Sequence, residues 1–228
     1  GVLRIDGSVG GLAFRRVELT SSPGHADGVT RLWVPLLDGA ERMGVLECVF
    51  DLPVTARMEE EFRFLASLVA ELAVTRNAYS DVLSRLRRSR PMSLAAELQW
   101  ELLPPLTYGT ERVAISGALE PTYEIGGDTF DYAVNGTTVE LLVLDAVGHG
   151  LPAALLATAA IGTYRWARRE EYTVPEISAH IDRVIAQQFP ASQFATALLA
   201  RLDIDSGRLT WVNAGHPAPL ILRDRALI

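Results

Sequence analysis

The 228-residue chain contains no lysine: all of its 21 basic residues are arginine. Arginine-only usage with abundant alanine suggests a GC-rich bacterial genome. The single cysteine, Cys48, excludes an intrachain disulfide framework and fits a reducing compartment, the cytoplasm. Positive charge is in deficit, with a formal net charge of −7, so a nucleic-acid partner is not expected. No charged-then-apolar leader resembles a signal peptide. The longest uncharged run, Ala146 to Tyr164, contains Gly148-His149-Gly150 and Pro152. It suits a loop and a core helix better than a membrane span, which wants about 20 apolar residues. The chain opens Gly1-Val2-Leu3-Arg4 without an initiator methionine and is read as a fragment or processed chain. P-loop, HExxH, CxxC and GxSxG motifs are missing, and His25, His149, His180 and His216 have no metal-ligand spacing.

What is present is a globular composition, 49% hydrophobic and 21% charged, long enough for one or two domains at about 150 residues each. Residues 1–52 read as strands and turns, with strands over 31–37 and 43–50 and a turn at Asp38-Gly39. From Ala56 to Arg90 the pattern is helical. Phe62, Leu65, Val69, Leu72, Arg76, Tyr79, Leu83 and Leu86 alternate three and four residues apart, the spacing of a parallel coiled-coil seam. The competing reading is an amphipathic helix packed on its own domain, most credible before Leu72. Pro91 ends the helix.

A short helix is expected over 93–103, stopped by Pro104-Pro105. Buried strands are expected over 113–119 and 138–144, with another over 130–134 turning at Asn135-Gly136. Helices follow over 151–169, where Pro152 falls in the first turn, and over 174–188. A hairpin joins 196–204 to 209–213, and a last strand begins at Leu220.

Two carboxylates stand out by context. Asp128 follows Gly126-Gly127, which permits a sharp turn and close backbone approach to a ligand. Asp145 ends the apolar run Leu141-Leu142-Val143-Leu144, at the mouth of a sheet where an unpaired charge is costly. Acids from neighbouring strand ends make a hard-oxygen site suited to Mg²⁺ or Mn²⁺. The alternative is a pair of turn aspartates satisfied by local backbone N–H groups.

Five motifs in order carry a resemblance from about residue 93 onward. They are Ser93-Leu94-Ala95-Ala96-Glu97-Leu98-Gln99, Leu102-Leu103-Pro104, Glu120-Pro121 with Gly126-Gly127-Asp128-Thr129-Phe130-Asp131-Tyr132, Asp145-Ala146-Val147-Gly148-His149-Gly150, and Asn213-Ala214-Gly215-His216-Pro217. This pattern resembles bacterial PP2C-type serine/threonine phosphatases of the SpoIIE/RsbU class. Gly10-Gly11-Leu12-Ala13-Phe14 and Leu32-Trp33-Val34-Pro35-Leu36 look like the C-terminal part of a GAF sensor domain.

The resemblance implies an α+β protein. Residues 1–75 would be the end of a GAF α/β domain, residues 76–92 a helical, coiled-coil linker, and residues 93–228 a C-terminally incomplete PP2C-like α/β sandwich. It further implies two Mn²⁺ or Mg²⁺ ions that activate a water for in-line attack on phosphorus. Asp128 and Asp145 match metal ligands with catalytic roles, and the carbonyl of Ala146 matches a backbone ligand. Gly127, Gly148, His149 and Gly150 would shape the loop beside them. His149 is read either as a structural hydrogen-bonding group or as a substrate contact, Asn213 to Pro217 as a turn near the site, and Asp131 as supporting the ligands.

The implied substrate is a phosphorylated STAS-type anti-anti-sigma factor, and a small-molecule or protein signal would act at the GAF domain of a homodimer. The family carries further metal-binding aspartates beyond the motif ending at Pro217, usually in a Thr/Ser-Asp-Gly turn. The sequence ends at Ile228 without one, which leaves open whether this stretch alone is active. The alternative is a non-catalytic signalling or dimerisation module with an incomplete metal site.

Overall fold

A computed structural model describes residues 4–23, 28–39, 41–77, 79, 81, 85, 91–120 and 126–227. The chain forms two compact units, residues 1–89 with 107–109 and residues 90–106 with 110–228.

The first unit begins with a helix, α1 (Val9–Arg16), where only strands and turns were expected. Ser8 caps it by accepting from the Gly11 N–H at 2.9 Å, and Val17 closes it in the left-handed conformation. The adjacent glycines lower helix propensity, yet both are sterically required, and a Cβ on Gly11 would collide with the Ile5 backbone carbonyl. A Cβ on Gly10 would lie 2.7 Å from the Trp33 ring, so packing on the sheet overrides propensity.

Strands β1 (Thr20–Pro23), β2 (Thr30–Asp38) and β3 (Glu41–Phe50) follow as an antiparallel sheet in that order. Leu32 and Val34 alternate with Trp33, and the first two pack with Ala66 of helix α2 (Ala56–Asn77).

That packing corrects the seam at its first position. Phe62 packs against the sheet, edge-on to Phe50 at 5.2 Å between ring centroids, and Ala66 and Ala70 are buried. Leu65 and Leu72 are 41% and 61% exposed, with Phe64 and Leu68 also exposed. The sheet therefore takes one stripe of α2 and leaves a second, offset apolar stripe. Seam positions Leu83 and Leu86 lie outside the described residues. β4 (Thr107–Gly109) groups with this unit.

The second unit opens with α3 (Leu94–Leu102), capped by Ser93, which accepts from the Ala96 N–H at 3.2 Å. β5 (Ala114–Ser116) is shorter than the expected 113–119 strand, and Ala114 and Ser116 are exposed. The main sheet contains β6 (Asp128–Asn135), β7 (Thr138–Ala146), β8 (Ala195–Asp203) and β9 (Arg208–Ala214), antiparallel throughout and in sequence order. Gly136 adopts φ +59 in the β6–β7 turn, as the Asn-Gly pair predicts.

Helices α4 (Leu151–Arg169) and α5 (Val174–Gln188) cover one sheet face. The small side chains of Ala153, Ala157, Ala160 and Ala167 pack there beside Leu156, Ile161 and Tyr164, against Leu142, Leu144 and Leu199. Thr173 and Glu176 form a reciprocal capping box that starts α5. Near the end, the strand expected from Leu220 is instead a small hairpin of β10 (Leu222–Arg223) and β11 (Ala226–Leu227). Asp224 and Arg225 both have positive φ in its turn. No helix among the described residues is long and apolar enough to cross a membrane.

Two acids on the helix-covered face are buried with partners. Asp131, 2% exposed, accepts from Arg165 Nε at 3.1 Å, Arg165 Nη2 at 2.8 Å and Arg168 Nη1 at 3.1 Å. Arg165 Nη2 also donates to the Leu102 carbonyl at 2.5 Å, tying the end of α3 to β6 and α4. Glu140 accepts from Arg201 Nε at 2.6 Å, and Arg201 also donates to the Tyr172 carbonyl at 2.7 Å.

Removing one partner of a buried ion pair strands the others. Asp131→Ala is therefore expected to destabilise the protein by about 3 kcal/mol in chemical denaturation. A loss below about 1 kcal/mol, the range of exposed pairs, would contradict this role.

Candidate functional site

Strand register builds the site. Asp128 of β6 pairs directly with Asp145 of β7, and Asp145 pairs with Thr196 of β8. Side chains alternate along a strand, so this row lies on the face opposite α4 and α5. Thr129 and Asp131 are buried on the helix side while Asp128 is exposed. The two acids predicted from separate motifs are thus brought together by one antiparallel pair. Asp131 is turned away from them and held by arginines.

A cavity of about 570 Å³ opens over this face, lined by Asp128, Asp145 and His216 at one end and by Phe130, Leu141 and Leu198 beyond. Burial raises the Asp128 carboxyl above its usual range. The neighbouring charge of Asp145 and a hydrogen bond with it act in the same direction, while His216 opposes them. Two carboxylates crowded together in this way are a place where a cation relieves repulsion.

The backbone around the pair is close-packed. Ala146 donates its N–H to the Gly127 carbonyl at 3.3 Å. A Cβ on Gly127 would lie 2.4 Å from the Ala146 carbonyl oxygen, so only glycine fits beside that group. The loop after β7 carries Gly148 at φ +91 and Gly150 at φ +71, the second as the N-cap of α4. His149 is exposed on this loop. A Cβ on Gly126 would be 3.2 Å from the Gly148 carbonyl and 3.6 Å from the His149 Cα. The expected loop residues therefore flank the acid pair.

Asn213 and His216 close a tight turn: Asn213 Nδ2 donates to the His216 carbonyl and the His216 N–H donates to Asn213 Oδ1, both at 2.8 Å.

Two participants carried no role in the sequence reading. Gln99 of α3 is fully buried and donates from Nε2 to the Asp128 carbonyl at 3.0 Å, linking that helix to the acid. A glutamine on the buried face with Ala95 and Ala96 was the available signal. Thr196 Oγ1 meets His216 Nδ1 at 2.9 Å, a pairing that only the β8–β9 register and the Ala197–Gly215 bridge make visible.

The donor set suits a hard divalent cation: two carboxylates and an adjacent backbone carbonyl, all oxygen. Among the described residues no group of three or more His, Cys, Asp or Glu side chains converges as a metal site, so the acid pair is a partial set.

Residues 135–227 match the model of the family described as Stage II sporulation protein E (SpoIIE). The phosphoserine phosphatase RsbU of Bacillus subtilis (strain 168) is 26% identical over 132 residues, covering 55% of this chain and 37% of that protein. The phosphoserine phosphatase RsbP of the same organism is 25% identical over 142 residues, covering 60% of this chain and 35% of RsbP. The chain thus spans little more than a third of the length of these curated relatives. The C-terminal part of the chain is thus similar to the SpoIIE family and to RsbU and RsbP.

Among solved structures, the RsbU and RsbW domains of a Mycobacterium tuberculosis protein align with TM-score 0.40 and 39% identity, over 45% of this chain and 28% of that one. The SiaA-PP2C domain of Pseudomonas aeruginosa aligns with TM-score 0.36 and 23% identity, over 39% of this chain and 37% of that one.

Because the Gly127 Cα faces the Ala146 carbonyl without room for a methyl group, Gly127→Ala is expected to destabilise the second unit by about 1–3 kcal/mol, the cost of overpacking. An unfolding midpoint equal to wild type would contradict that close approach.

Proposed function

We propose that the protein to which this chain belongs is a metal-dependent serine/threonine protein phosphatase. The observation that carries this reading is the direct pairing of Asp128 with Asp145 on an open sheet face, with Asp145 inside the stretch that matches the SpoIIE family model and Asp128 seven residues before it. Asp128, Asp145 and the Ala146 carbonyl would hold Mn²⁺ or Mg²⁺, with further ligands completing a site for two ions. When bound, the metal lowers the pKa of water toward neutrality and offsets the charge of the phosphoryl group. The chain's own part is to fix the donors. Gln99 holds the Asp128 backbone, Gly127 permits close approach to Ala146, and the Gly148-His149-Gly150 loop borders the opening.

The substrate fitting this reading is a phosphorylated STAS-type anti-anti-sigma factor in the cytoplasm. The first unit would be the end of a GAF sensor domain, with boundaries near residues 75 and 92. Its signal would pass through a helical linker to the phosphatase. A homodimer is supported by the exposed stripe of Leu65, Leu68 and Leu72 on α2, since contiguous apolar surface marks an interface.

A second reading, a non-catalytic signalling module, is favoured by the lack of a third acidic or histidine ligand among the described residues. Turnover separates the two. The complete protein with Mn²⁺ is expected to dephosphorylate a phosphoserine peptide, and Asp145→Ala to reduce kcat/KM by more than about 100-fold, beyond the effect of losing an outer-shell partner. Absence of turnover in wild type, or a near-normal rate in Asp145→Ala, would overturn the phosphatase reading.

For the dimer, Leu65→Asp combined with Leu72→Asp is expected to shift light scattering from dimer to monomer. A doubly substituted protein that stays dimeric would place the interface elsewhere.

A further inference from the structure

His216 is held more tightly than a turn residue needs. Its backbone is gripped on both sides by the Asn213 amide. The preceding Gly215 adopts φ +76 and forms a parallel bridge with Ala197. Its ring is fixed by Thr196 through Nδ1, and Thr196 stands in the same cross-strand row as Asp128 and Asp145. His216 lines the cavity shared with those two acids. Three separate restraints thus set one imidazole at the mouth of the acid pair, with Nδ1 occupied and Nε2 left for another partner.

Resting on the phosphatase reading, we propose that His216 is a substrate-binding residue whose Nε2–H donates a hydrogen bond to a phosphoryl oxygen of the bound phosphoserine. This role requires the Thr196 hydroxyl to donate across its 2.9 Å contact with Nδ1, which keeps the ring proton on Nε2. A neutral imidazole fixes one tautomer when its other nitrogen is engaged. A donor to an anionic oxygen is among the stronger hydrogen bonds. The acids alone would repel a phosphoryl group, so a donor aimed from the side at the same opening supplies what they cannot. The role is to orient and retain the phosphate; no proton leaves the ring.

The two amide side chains divide the possibilities. Glutamine can place an N–H near the position of Nε2, and asparagine near that of Nδ1. In the complete protein with Mn²⁺, His216→Asn is expected to raise KM for a phosphoserine peptide about tenfold. The same variant is expected to weaken binding of inorganic phosphate, measured by calorimetry, by a similar factor. His216→Gln is expected to stay within about threefold of wild type in both measurements, and Mn²⁺ affinity is expected to be unchanged in either variant. Retention by asparagine with loss by glutamine would overturn the proposal in favour of a purely structural contact with Thr196. Equal losses in both variants, or no loss in either, would also overturn it. Wild-type protein that binds phosphate but turns over no phosphopeptide would count against the phosphatase reading alone, with the phosphate titrations still deciding the role of His216.

Discussion

The register of β6 on β7 is the constraint on which the site depends. It sets Asp128 opposite Asp145 and, through β8, both in line with Thr196. A one-residue slip would turn each side chain of β6 to the other face. Asp128 would then enter the alanine-rich helix interface, and Asp131 would leave its arginines. Both ends of the strand resist that slip. The Asn135-Gly136 turn fixes one end with a left-handed glycine. At the other, Gly127 abuts the Ala146 carbonyl too closely for any side chain.

The opposite face is stabilised by burial and by paired charge. Alanines along α4 bring the helix close to the sheet, and Asp131 with Arg165 and Arg168 fills the space toward α3. The division of labour follows the strand period. Odd and even positions of β6 serve different purposes, one set holding the unit together and the other presenting Asp128 to the cavity. Gln99 joins the two, since its helix is anchored by Arg165 at Leu102 while its own amide holds the Asp128 backbone.

Much of this was legible in the sequence because local chemistry signalled it. Asn135-Gly136 and Pro152 each mark an element boundary by a known backbone requirement, and both boundaries occur. The acid pair was legible because Gly-Gly before Asp128 and an apolar run before Asp145 are unusual settings for a charge. What was hidden depended on distant partners. Helix α1 contains glycines whose low propensity argues against it until the Trp33 ring is in place. Phe62 looked like a seam residue because α2 is apolar on more than one side, and only the sheet selects which stripe is buried. The partners of Asp131 lie 34 and 37 positions away, beyond any local pattern. Likewise, His216 meets Thr196 across 20 positions.

The central claim is that Asp128 and Asp145 together begin a divalent-cation site. It is tested most directly by anomalous diffraction from crystals of the complete protein grown with Mn²⁺. The account predicts a manganese peak coordinated by carboxylate oxygens of both residues. Manganese bound elsewhere, with the two carboxylates instead hydrogen-bonded only to each other, would contradict it.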